Sequence, residues 1–249
     1  MKIAVCLKRV PDTTTKIVIG ADGKSIEENG VKFVPNPYDE YALEAALGLK
    51  EKVGAGETVV VSVGSDAAQE TIRTALAMGI DRGVLLKADG SPDGLEVARV
   101  LAAELKAGGY DLILFGKMAV DDYNHQVGVM TGELLEYPVI SAVSALTIEG
   151  GAVRAEREVE GGVEVVTCSL PAVITADKGL NTPRLPSLKG IMAAKKKPLE
   201  IKPVTLGPGT LLVTGLSLPP ERQAGRIVGE GPEAAAILVQ LLRSEAKVV

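Results

Sequence analysis

Aromatic side chains are scarce in this sequence: there is no Trp, and only two Phe and five Tyr occur among 249 residues. That scarcity argues against a base-stacking platform for single-stranded nucleic acid. Histidine occurs once, as His125. Multi-histidine metal sites are therefore excluded, and a histidine base, if one is used, must be this residue. The two cysteines, Cys6 and Cys168, are far apart and belong to no CxxC pair. Such usage suits a reducing compartment and offers no disulfide framework. No run approaches the roughly 18 to 20 apolar residues of a membrane span. The opening MKIAVCLKRV is too short an apolar stretch for a signal peptide and leads into a strand-like run. A cytoplasmic protein without membrane insertion is expected. The formal net charge of −5 argues against broad binding to nucleic-acid phosphates.

Apolar residues make up 46% of the chain, too many for a disordered protein of low net charge. The length allows one large domain or two small ones, burying roughly three quarters of the unfolded surface. Ile3 to Leu7 is a continuous apolar run, as in a strand covered on both faces. Residues 16–20 and 31–34 flank an Asp22-Gly23 turn, so a hairpin-like excursion is expected between them. Asn36-Pro37 opens a helix with Asp39 and Glu40 in its first turn. Its expected inner stripe is Ala42, Ala45, Ala46 and Leu49. Strands at 59–63, 84–86 and 112–115 then alternate with helices. One helix presents Ile72, Ala75 and Leu76; the next starts near Asp93 and presents Ala98, Leu101, Ala102 and Leu105. A third carries Val129, Met130, Leu134 and Leu135. This alternation predicts an α/β fold with a doubly wound, mostly parallel sheet.

After Pro138 the pattern becomes an antiparallel meander over 139–148, 152–159 and 163–169, followed by a buried strand at 172–175. Beyond about residue 180 the chain is Pro-rich and basic. The expected organisation is a nucleotide-binding α/β domain over 1–180 and an extended C-terminal arm over 181–249. That arm is expected to pack on something other than the core sheet and to end in a helix from near Pro232.

Nucleotide fingerprints of the common kinds are missing. No GxGxxG follows a strand, and Gly23-Lys24-Ser25 lacks the earlier glycine of a P-loop because residue 18 is Val. More informative is the run from Gly116 to Gly128. It leaves the carboxyl end of a strand and enters a helix, the edge at which doubly wound folds bind ligands. Free amides around Gln126 and Val127 could hold a phosphate. The pair Asp121-Asp122 could meet a ribose hydroxyl or simply cap a turn. An ordinary strand-loop-helix connection remains the other reading. His125 could be a base or a polar contact at a helix start, and no third hard ligand makes the Asp pair a metal site. Cys6 reads as an inert core thiol, and Lys195-Lys196-Lys197 as a solvated face. Leu185, Leu188, Ile191 and Met192 need a burial site, either on this chain's own core or on a partner.

The chain resembles the beta (small) subunit of electron-transfer flavoproteins. The similar pieces run in order: Val5 to Asp12, Asn36 to Glu44, Gln69 to Gly79, Gly116 to Gly128, Leu170 to Asp177, Asn181 to Lys197, and Pro219 to Gly225. The resemblance implies a heterodimer with a larger alpha subunit that holds most of an FAD, with a structural AMP in this subunit. By similarity, AMP is expected to touch Cys6, the helix start Asn36, Pro37, Tyr38 and Asp39, and Val63. The same contact runs through Gly116, Lys117, Met118, Ala119, Val120, Asp121, Asp122, Tyr123, Asn124, His125, Gln126 and Val127. The Thr13 region is expected near the flavin ring of the partner, although several relatives carry an aromatic residue there. The family often has Asn where this chain has His125. Leu188 matches the anchor of a recognition loop over 181–197 that grips acyl-CoA dehydrogenases.

The implied role is that of an electron carrier and not an enzyme. It takes electrons from acyl-CoA dehydrogenases and other flavin dehydrogenases in fatty acid oxidation, and passes them to a membrane quinone oxidoreductase. Alternatives are an electron-bifurcating relative with a second FAD in place of AMP, a nucleotide-hydrolysing or nucleotide-sensing α/β protein, and a structural subunit with no nucleotide. No catalytic side chain and no metal is expected.

Overall fold

The structure, a computed structural model, describes residues 1–222 and 224–249; Gln223, in the last of the similar pieces, lies outside the described residues. Along the chain come β1 (Lys2–Cys6), β2 (Arg9–Pro11), β3 (Phe33–Pro35), α1 (Pro37–Val53), β4 (Glu57–Gly64), α2 (Ala68–Met78), β5 (Arg82–Lys87) and α3 (Gly94–Gly108). Then follow β6 (Leu112–Gly116), α4 (Val127–Leu135), β7 (Val139–Glu149), β8 (Ala152–Val159), β9 (Gly162–Ser169), β10 (Ala172–Ala176), α5 (Leu188–Ala194), β11 (Leu199–Pro203) and α6 (Ala234–Leu241). Nine strands form one sheet in the order β11-β5-β4-β1-β6-β10-β7-β8-β9. From β11 to β7 every pairing is parallel; β8 and β9 add an antiparallel ribbon. The expected α/β class with an antiparallel addition is what the chain adopts.

The period-2 rule of strands divides the core in two. Ile3, Val5 and Leu7 face α1 and α2, while Ala4 and Cys6 face the opposite layer of α3. β4 and β6 split the same way: Val60 and Leu114 face one layer, Val61 and Ile113 the other. Both faces of each strand are covered, so the strands read as unbroken apolar runs. α3 starts on a capping box, in which Asp93 accepts from the Glu96 amide and Glu96 accepts from the Asp93 amide. The chain winds outward from β1 to β4 and β5, then returns to place β6 on the other side of β1. The switch point therefore lies between the carboxyl ends of β1 and β6.

Three expectations need correction, and the inner face of α4 is new. Ile19 and Ile26 do bridge across the Asp22-Gly23 turn, but the 31–34 run does not close that hairpin. Its end, Phe33–Pro35, pairs instead with Arg9–Pro11, a partner remote in sequence. On α1 the inner face is Asp39, Ala42, Leu43, Ala46 and Leu47, with Ala45 and Leu49 at its margins.

α4 buries Gly128, Thr131, Gly132 and Leu135 and leaves Val129 and Leu134 exposed. The reason is proximity. A Cβ on Gly128 would lie 2.8 Å from Thr175 Cγ2, and one on Gly132 would lie 2.2 Å from Val139 Cγ2. Only glycines let this helix sit so close to the sheet.

The stretch after residue 180 does not all leave the sheet, since β11 pairs with β5 as an edge strand and α5 packs on α2. Beyond Val204, whose amide still donates to the Lys87 carbonyl of β5 at 2.9 Å, the arm does leave it. The arm is tied to the body at Asp93, which accepts from the Thr210 amide (2.5 Å), the Thr210 hydroxyl (2.9 Å) and the Leu211 amide (2.8 Å). It is tied again where the Leu216 amide donates to the Gly23 carbonyl at 2.8 Å. Leu211, Leu212, Leu218 and Ile227 are exposed along it. No helix among the described residues is long and apolar enough to cross a membrane.

Candidate functional site

The carboxyl ends of β1 and β6 are joined by one buried carboxylate. Asp39, in the first turn of α1, accepts from the Lys8 amide (2.7 Å), the Gly116 amide (3.0 Å) and the Asn36 side-chain amide (2.9 Å). A Cβ on Gly116 would come within 2.5 Å of Asp39 Oδ1 and 2.6 Å of the Tyr38 carbonyl carbon. Glycine is required there by close approach, not by an unusual φ. Asn36 carries the signature of a side-chain cap for α1, but makes no such bond. Its amide instead donates to the Met118 carbonyl (2.9 Å), and its oxygen accepts from the Val120 amide (3.1 Å). Asn36 thus splints the 116–120 backbone to the helix start. Both residues are almost fully buried, where an unpaired polar group would cost about 1–3 kcal/mol.

Burial pushes the Asp39 carboxyl up to about 7, against the pull of the Lys8 and Gly116 amides and the Asn36 side chain. Between the usual 3.8 and about 7, the folded chain holds a proton that the unfolded chain releases. This contribution to stability is full below 3.8 and is lost as pH rises through about 7. Unfolding in denaturant at pH 4 and pH 7.5 tests this. Relative to an Asp39→Asn variant, the wild-type chain should lose stability across that interval; an unchanged difference would refute the shift.

The remaining loop is held by ion pairs. Lys8 Nζ donates to Asp121 (2.8 Å) and Asp122 (2.9 Å). Burial lowers the Lys8 pKa, but the two carboxylates outweigh it and the net shift is upward. The aspartates therefore close the loop onto β1, and no cluster of metal-ligating residues occurs among the described residues. Lys117 pairs with Asp177 at 2.8 Å and lies 5.2 Å from the Tyr38 ring centre. Tyr123 and His125 both have φ of 55°, a left-handed conformation that costs non-glycine residues energy. α4 then begins at Gln126 with no side-chain cap. Its first amides thus have no side-chain partner at the positive end of the helix, where an anion is favoured.

Asn36, Pro37, Tyr38, Asp39 and the run Gly116 to Val127 thus meet at one edge of the sheet. Cys6 lies at the end of β1, buried, with its thiol pKa pushed well up by burial and then by Asp39; it is no nucleophile. Val63 ends the apolar part of β4, half-buried. Thr13 is exposed in the turn after β2, beside Asp12, which binds the Thr14 amide and hydroxyl. Sequence reasoning missed Lys8 and Asp177. Lys8 could have been found from its place just past the apolar run of β1; Asp177 had only the same strand-end position to mark it.

The second group sits elsewhere, over α1 and α2. Leu188, Ile191 and Met192 follow i, i+3, i+4 spacing on α5 and are exposed by 84%, 45% and 65%; Leu185 is exposed by 90%. This chain's own core does not cover them. Lys195 and Lys196 are solvated as expected, but Lys197 is not simply so. Its ammonium binds the Leu76 and Ile80 carbonyls at the end of α2, at 2.9 and 2.6 Å.

The family model described as Electron transfer flavoprotein domain matches residues 24–206. The chain is 45% identical to the electron transfer flavoprotein subunit beta of Bacillus subtilis over the full length of both. It is 42% identical to that of Syntrophomonas wolfei, covering 100% of this chain and 98% of the relative. It is 43% identical to that of Homo sapiens, covering 98% of each.

Proposed function

The chain belongs to the electron transfer flavoprotein family, as a beta subunit, and from that premise we propose that it completes an electron carrier built with an alpha subunit. Its role is in electron transfer, and it is a carrier subunit rather than an enzyme. FAD, held mainly by the alpha subunit, supplies the redox chemistry when bound. This chain contributes a nucleotide seat, a flank for the flavin near Thr13, and a docking surface at 181–197.

The observation that carries the nucleotide reading is the convergence at the switch point. Asn36 and Asp39 fix the 116–120 backbone, and two left-handed residues lead into an uncapped helix start. Such an edge suits a mononucleotide: the small side chain of Ala119 leaves room for a flat base, and the α4 amides suit a phosphate. AMP is the ligand that fits. Asn36 to Asp39, Gly116 to Val127, Cys6 and Val63 would hold it, with His125 and Gln126 as polar contacts. AMP then serves as a packing element, since no reactive nucleophile lies among these residues.

Electrons would arrive from acyl-CoA dehydrogenases and other flavin dehydrogenases of fatty acid oxidation, and leave to a membrane quinone oxidoreductase. The setting would be the cytoplasm. Heating the purified heterodimer and identifying the released nucleotides tests the reading. One FAD and one AMP per heterodimer are expected. Two FAD would point instead to electron bifurcation, exchangeable ATP with turnover to a nucleotide-hydrolysing protein, and no nucleotide to a structural subunit.

A further inference from the structure

The docking reading leaves one question open: what holds an exposed apolar helix in place. α5 has seven residues, of which only Ala194 is buried. A helix that short is not stable alone in water, and one buried alanine adds little. Polar ties hold it instead. Ser187 caps it through the Gly190 amide at 3.0 Å. At its far end Arg73 of α2 donates to the Ala194 and Lys197 carbonyls at 2.6 and 2.8 Å.

The approach to α5 is fixed by Arg184. Its guanidinium reaches both Glu44 oxygens at 2.8 Å and both Glu51 oxygens at 2.6 and 3.0 Å. Glu44 and Glu51 stand about two turns apart on α1, so one planar fork spans both. The pairing holds the guanidinium charged, its pKa raised by the two carboxylates.

We infer that Arg184 and Arg73 are positioning residues, which lock α5 to α1 and α2 so that Leu188, Ile191 and Met192 meet an electron donor already ordered. The inference rests on the docking reading above. A brief redox encounter buries little area, so any side-chain ordering left to the moment of contact would weaken it.

The test uses the intact heterodimer as acceptor for an acyl-CoA dehydrogenase reduced by its acyl-CoA substrate. Arg184→Gln and Glu44→Gln break the same clamp but change the charge in opposite senses. Positioning predicts that both raise KM for the heterodimer about tenfold, with kcat within twofold and the flavin absorption unchanged. Arg184→Lys, which keeps the charge without the fork, should also raise KM. Should Glu44→Gln fold poorly, Glu51→Gln, at the more exposed end of the clamp, should raise KM about threefold. If KM moves in opposite directions for Arg184→Gln and Glu44→Gln, charge steering is at work and the inference fails. If KM is unmoved while Leu188→Ala impairs transfer, the inference fails and docking stands. If Leu188→Ala is also silent, the docking reading falls and the inference with it.

Discussion

Leu188→Ala should slow electron transfer from an acyl-CoA dehydrogenase by about tenfold to a hundredfold, while leaving the heterodimer folded. The range follows from burying one leucine on a partner, about 1.5–3 kcal/mol at 1.4 kcal/mol per factor of ten. The fold should not notice, because Leu188 is 84% exposed in this chain and surface substitutions usually cost within about 0.5 kcal/mol. Stopped-flow reduction of the heterodimer by substrate-reduced dehydrogenase gives the rate; thermal unfolding and the flavin spectrum give the control. The same variant should leave nucleotide content untouched, because α5 lies over α2 and not at the β1–β6 edge. A rate within twofold of the parent would remove Leu188 as the anchor.

The second large effect is expected at Gly116→Ala. The added methyl group would meet Asp39 Oδ1 at 2.5 Å and the Tyr38 carbonyl carbon at 2.6 Å. Neither is the free end of a flexible side chain: Asp39 is held by three donors, and the Tyr38 atom is backbone. The strand end must therefore move away from α1, which stretches the Gly116 amide bond to Asp39. Overpacking of this kind costs about 1–3 kcal/mol, or several degrees in the unfolding midpoint of a chain this size. On the proposed nucleotide reading, loss of bound AMP should accompany it, since the displaced backbone would form the floor of that seat. Gly48→Ala is the matched control. That glycine lies inside α1, and a methyl group added to it would have nothing within 4 Å, so the change should be neutral or stabilising by up to about 1 kcal/mol. Equal behaviour of the two variants would refute the close-approach argument.

The parallel sheet was legible because both faces of its strands are covered, which writes them as apolar runs. α3 was legible too, since Asp93 and Glu96 make a reciprocal cap that needs only local sequence. What was not legible depended on distant partners. The pairing of β3 with β2 competes with a nearer turn, and no local rule ranks the two. The inner face of α4 was not legible because leucine and valine dominate its apolar residues, while the deciding ones are glycines that let the helix close on Thr175 and Val139. Asn36 carried an N-cap signature, yet its side chain serves a backbone more than eighty residues away. The strand-end position of the run 116–128 was legible from the alternation of strands and helices and its nucleotide contacts were expected only by resemblance, but Lys8 and Asp177, which hold the run down, left no such signal. Lys197 read as solvated because a run of three lysines usually is. Its long stem reaches the carbonyls that end α2, a use of lysine that depends on where the next helix stops.

Asp93 ties the arm to the start of α3. One of its carboxylate oxygens starts α3 by accepting from Glu96; the other receives the arm through Thr210 and Leu211. The arm's first stretch, up to Leu216, is thus directed during folding, and the entropy of ordering it is lost then. Tension on the arm at Thr210 would therefore reach the first turn of α3, because one side chain holds both.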